Sequence, residues 1–198
     1  MRELIDFSRF VLPYAAACPE PIMELHVRAA AREFCAATKC WREVDTLPVR
    51  GDEFEVLCVP PHASLIAIES ASFDGRPLGR VAFEDVDPGD QGQPRGIYQL
   101  QPNTISLTPR GPGKLTVAMF LQPSQDADVL PLFLYDQWGE QIGHGALARI
   151  LELPEQPYSD PGGALRHRAL FERAKDSNFN ASVRGQQRAP IRSRSRFL

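Results

Sequence analysis

The sequence predicts an α+β protein: a helical bundle of an N-terminal helix and two C-terminal helices, an inserted antiparallel β-sandwich or barrel domain, and an extended C-terminal tail. Three observations lead there. Apolar residues recur at helical spacing before residue 42 and again after residue 126. Between them lie short apolar or alternating runs, about ten residues apart and separated by turn residues. The chain then closes on Gly185–Leu198, where Ile191, Phe197 and Leu198 are the only large apolar residues. The expected limits are 1–48 and 126–184 for the helical core, 52–122 for the β-domain and 185–198 for the tail.

Residues 1–19 read as a lead-in strap ending at Cys18-Pro19-Glu20-Pro21. Pro21 suits a first helical turn, and Glu20 favours its positive end. From there Met23, Val27, Ala30, Phe34, Ala37 and Trp41 mark one stripe, which predicts a helix over 20–42. Candidate strands follow at 54–59, 64–73, 79–84, 96–101, 104–108 and 114–121. Asp74-Gly75 between two of these runs is a hairpin cue. Leu132, Tyr135, Ile142, Ala146 and Ile150 return to helix register, although Gly139, Gly143 and Gly145 fall inside it. Each glycine costs about 1 kcal/mol in a helix interior, so close packing against a neighbour must compensate. Pro154 and Pro157 break this helix, and Ser159 or Asp160 can cap a last one from Pro161 to about Val183. The first helix needs a partner for its stripe, and packing against the two later helices is the simplest solution.

The bulk composition narrows the function classes. The 198 residues are 43% hydrophobic, enough for a core, and no apolar run approaches the ~20 residues that span a bilayer. The start, Met1-Arg-Glu-Leu-Ile-Asp6, carries acids and no long apolar stretch, so neither a signal peptide nor a membrane partner is expected. Cys18, Cys35, Cys40 and Cys58 form no CxxC pair, and reduced, mostly buried thiols are expected. The net charge of -3 is unevenly spread: residues 166–198 carry +7, leaving -10 on residues 1–165. An acidic body with a basic tail points to a tail that meets an acidic surface or nucleic acid.

Motifs for chemistry are absent. His26 and His167 are read on charged helix faces, His62 in a loop, and His144 between two packing glycines; none has an acid or nucleophile at a recognisable spacing. Pro109-Arg-Gly-Pro-Gly113 lacks the Gly-Lys-Ser/Thr ending of a phosphate loop and is read as a turn. The acidic run from Glu84 to Asp90 lacks the alternating ligands of a calcium loop. No catalytic residue, cofactor or metal ligand is assigned, and the protein reads as a non-enzyme. In the tail, Arg188, Arg192, Arg194 and Arg196 fall on even positions, so an extended strand would turn them to one side and Ala189, Ile191, Ser193, Ser195 and Phe197 to the other. Such a segment suits strand addition or insertion into a groove.

Three stretches resemble a known family. They are Val11-Leu-Pro-Tyr14 with Cys18-Pro-Glu-Pro21, Ala29-Ala-Ala-Arg-Glu-Phe34-Cys35 and Trp41; Gly145-Ala-Leu-Ala-Arg-Ile-Leu151 with Leu153-Pro154 and Pro157-Tyr-Ser-Asp-Pro161; and Phe171 with Ala174-Lys175 before an Arg-rich end. Together they resemble the head-to-tail adaptor (connector) proteins of short-tailed bacteriophages, with Tyr158 where the family usually has Trp. The β-domain is largely outside the resemblance. The family implies a virion structural protein forming a ring, commonly of about twelve copies, below the portal at the capsid vertex. The ring extends the DNA channel, which genomic DNA crosses without sequence-specific binding, and attaches tail nozzle or fibre proteins. On this resemblance Arg188, Ile191, Arg192, Arg194, Arg196, Phe197 and Leu198 are the portal-binding residues. Two other readings stay open: another phage tail structural protein with a fibre- or glycan-binding β-domain, and a nucleic-acid-binding protein using the Arg tail.

Overall fold

The computed structural model describes residues 1–183 apart from Asp52, Phe54 and Pro88, with side chains up to Asn178. Among these residues the chain is α+β. It begins with β1 (Arg2–Glu3), a 3-10 turn at Leu4–Phe7, α1 (Ser8–Val11) and α2 (Glu20–Thr38). Then come β2 (Trp41–Val49), β3 (Val56–Leu57), β4 (Ala63–Phe73), β5 (Arg76–Pro77), β6 (Gly79–Arg80), β7 (Gly96–Tyr98), β8 (Thr104–Thr108), β9 (Gly113–Pro123) and β10 (Val129–Leu130). It ends with α3 (Leu132–Ile150) and α4 (Pro161–Val183). The chain divides into two units: Met1–Cys40 with Gln125–Leu198, and Trp41–Ser124.

In the helical unit α2, α3 and α4 all touch one another. Of the expected stripe, Met23, Val27, Ala30 and Phe34 of α2 are buried and Ala37 is half-buried, while Ala31 and Cys35 join the buried face. The three glycines of α3 are sites of close approach. A Cβ on Gly139 would lie 2.5 Å from the Phe10 ring, one on Gly143 2.6 Å from the Phe10 Cβ, and one on Gly145 2.8 Å from the Phe171 ring and 2.9 Å from the Ala30 Cβ. Packing thus offsets the helix propensity that glycine lacks. Asp160 Oδ1 accepts the Gly163 N–H at 2.9 Å, so Asp160 rather than Ser159 caps α4, whereas α2 and α3 start after Pro19 and Pro131 with no side-chain cap.

Residues 1–19 are more than a strap. β1 pairs with β10, and Leu4, Phe7, Val11, Ala15 and Cys18 are buried. Phe7 and Phe10 pack against Tyr135 with ring centroids 5.3 and 5.6 Å apart.

The β unit holds two four-stranded sheets, ordered β2-β9-β4-β5 and β3-β8-β7-β6. The first is antiparallel throughout, with β2 paired to β9 from Trp41↔Leu121 to Val49↔Gly113. Asp74 and Gly75 both have positive φ, 47° and 78°, in the two-residue turn joining β4 to β5, as the hairpin cue required. Phe73, Leu115, Val117, Met119 and Leu121 from this sheet and Ile97, Ile105 and Leu107 from the other are buried. The described residues form no closed barrel.

Three expectations are corrected. The first helix does not run to 42 and the helical core does not extend to 48, because Lys39 turns left-handed (φ 54°) and Trp41–Val49 is a strand. Trp41 continues the helical spacing by coincidence, and the β-branched Val44, Thr46 and Val49 that follow suit a pleated strand. The runs 54–59 and 79–84 shrink to two-residue strands, the second followed by the 3-10 turn. The second sheet is not wholly antiparallel, since β6 runs parallel to β7.

Candidate functional site

The residues singled out for portal binding, Arg188, Ile191, Arg192, Arg194, Arg196, Phe197 and Leu198, lie outside the described residues. What the structure describes is the seat of α4, the helix that precedes them. Phe171 of α4 is 3% exposed, lies over Gly145 of α3, and faces Phe34 of α2 with centroids 6.1 Å apart. Phe34 also packs on Trp138 at 5.3 Å. One aromatic layer therefore joins all three helices.

A charge cluster lies beside this layer. Glu33 of α2 pairs with Arg149 of α3 and accepts from Lys175 Nζ of α4 at 2.5 Å. Lys175 also donates to Glu172 at 2.8 Å and sits 4.9 Å from the Phe171 ring centroid. Burial alone would raise the Glu33 carboxyl; the hydrogen bond and charge of Lys175, then Arg149, outweigh it and hold the group below its ordinary 4.5. Burial likewise opposes the Lys175 charge, but Glu172 and Glu33 hold its pKa above 10.5. A cleft of about 260 Å³ is lined by Glu33, Arg149, Arg168, Phe171 and Glu172. Its four charged residues are engaged with Lys175, with Glu152, or with one another. That arrangement ties α2, α3 and α4 together.

The histidine positions are corrected at one residue. His167, read on a charged helix face, is instead 7% exposed: its Nδ1 lies 3.0 Å from Nδ1 of His144, and the Tyr14 and His167 rings meet edge-on at 4.9 Å. In the neutral pair one Nδ1 donates and the other accepts, so the rings hold opposite tautomers. Burial lowers the pKa of both; for His167 the charges of His144 and Arg166 add to it and Asp160 opposes, while for His144 Glu140 opposes. His144 does sit in a helix between packed glycines, as its Gly-His-Gly setting suggested. The pairing was not legible in sequence, because the two residues are 23 apart on different helices.

In the β unit, a cavity of about 310 Å³ is lined by Ala67, Ile68, Arg80, Val81, Ile97 and Tyr98, together with Gln99. Phe83 stands near it, 62% exposed, with its ring 6.4 Å from that of Tyr98. Among the described residues no three His, Cys, Asp or Glu side chains are grouped to hold a metal, and no helix is long and apolar enough to cross a membrane. Asp87, from the acidic run, accepts from the Gly89 N–H at 2.8 Å. No protein-family model matches the chain, and no curated protein matches it.

Proposed function

We propose that the chain is a virion head-to-tail adaptor of the short-tailed bacteriophage kind. Its helices act as a bundle, its two sheets as a sandwich, and its Arg-rich tail docks onto a portal ring. Copies assemble into a ring below the portal, extend the DNA channel and attach tail components. The observation that carries this reading is the seating of α4. Phe171, Lys175 and Asp160 seat a helix whose sequence continues directly into the basic residues. A charge of +5 on residues 184–198 against -8 on the remainder favours an acidic docking surface for that segment. Multivalent engagement by every copy of a ring would offset the entropy of ordering each tail.

Native mass spectrometry of the protein alone and with its cognate portal tests this. The expected result is a complex whose copy number equals the portal's symmetry, lost when Gln186–Leu198 is deleted. A truncated chain that still binds the portal overturns the tail's role, and a full chain that ignores the portal overturns the adaptor reading. A second reading, a β-domain that binds a fibre or glycan, is favoured by one observation. Exposed Phe83 beside the Tyr98-lined cavity offers the aromatic surface that a sugar ring stacks on.

A further inference from the structure

We propose that Cys35 and Cys40 are a disulfide site, closed by oxidation and opened by thiols, that staples the end of α2 to the residue before β2. The sulfurs are 3.8 Å apart in the reduced protein. Their approach follows from how the helix ends. Lys39 adopts the left-handed conformation at φ 54°, and its N–H bonds to the Cys35 carbonyl at 2.8 Å. In this termination the residue after the left-handed one folds back onto the last turn, where an apolar contact usually forms. Here cysteines occupy both ends of that contact, the one side-chain pair able to turn it into a covalent bond. A bond length of about 2.05 Å requires the sulfurs to approach by about 2 Å, within reach of side-chain rotation.

The two thiols differ in reactivity. Cys35 is completely buried, and its hydrogen bond with Cys40, its burial and the Cys40 charge all keep it protonated. Cys40 is only half-buried. With glutathione disulfide as oxidant, the Cys40 thiolate attacks one sulfur of the reagent, whose S–S bond breaks and releases one glutathione thiolate. That thiolate takes the Cys35 proton as the Cys35 sulfur attacks Cys40 Sγ; the mixed disulfide breaks and a second glutathione leaves. Two protein thiols lose two electrons, and one glutathione disulfide becomes two thiols. Reducing surroundings keep the pair open and oxidising ones close it.

The test uses the full chain incubated with glutathione disulfide, followed by thiol titration in denaturant, intact mass and peptide mapping. The four free thiols should fall to two, with a single bridged peptide containing Cys35 and Cys40. The mass should drop by about 2 Da, the two hydrogens removed by oxidation. In Cys35→Ser the reaction should stop at a glutathione adduct on Cys40, since the resolving sulfur is gone. Four titratable thiols after oxidation, or a bridge that pairs Cys18 or Cys58 instead, would overturn the proposal. The wild-type measurement decides this even where a serine variant folds poorly.

Discussion

Gly139 shows how a residue unfavourable to a helix becomes a requirement of it. The three atoms nearest to a Cβ there are all ring atoms of Phe10, and that ring packs against Phe7 and Tyr135. Gly139→Ala should destabilise the protein by about 1–2 kcal/mol through overpacking, in spite of alanine's better propensity. With Phe10→Ala present the obstruction is removed, and the same change should stabilise by about 1 kcal/mol. Urea unfolding of the four variants reads the reversal as a coupling energy. Equal effects in both backgrounds would mean that the glycine does not serve the aromatic contact.

Contacts between elements set the pH response. His144 of α3 and His167 of α4 both bind protons less readily folded than unfolded, where the ordinary value is 6.5. Their contribution to stability is therefore complete above about pH 6.5 and declines as the pH falls below it, because the unfolded chain takes up protons first. Each proton taken up on unfolding gives a slope of at most about 1.4 kcal/mol per pH unit. Glu140 and Asp160 moderate the effect, and Arg166 strengthens it. The Tm should fall on acidification from pH 7 to 5, and His167→Asn should flatten that decline. An unchanged slope in the variant would assign the acid sensitivity elsewhere. Glu33 in the clamp is 37% exposed and therefore partly screened by water, so its pairs are expected to contribute about 0.2–1 kcal/mol each.

For the whole molecule, the division of charge matters more than its sum. If the basic segment meets an acidic portal surface, added salt should weaken the complex by screening. Replacing Arg192, Arg194 and Arg196 with Ala should cut portal affinity at least about tenfold and reduce its salt dependence. The unfolding midpoint should stay the same, since the buried residues described all lie between Leu4 and Phe171. Tight, steeply salt-dependent binding to bulk DNA with no preference for the portal would instead favour the nucleic-acid reading.

The sequence by itself determined the order helix, β-segment, helix, helix, because local periodicity and turn chemistry report what a short stretch prefers. The stripe of α2, the Asp74-Gly75 turn and the start of α4 at Pro161 were legible on those grounds. The clash of three glycines with helix propensity also announced close packing, though not that Phe10 and Phe171 would fill the space. The tail residues rest on composition and resemblance alone. Only the tertiary structure decided that Leu4 and Phe7 are core, that Trp41 opens a strand and that His144 meets His167. The physical reason is common to these cases. Each depends on a partner distant in sequence, such as β10 for β1, β9 for β2 and α4 for α3, and a local pattern carries no information about which distant surface will bury it.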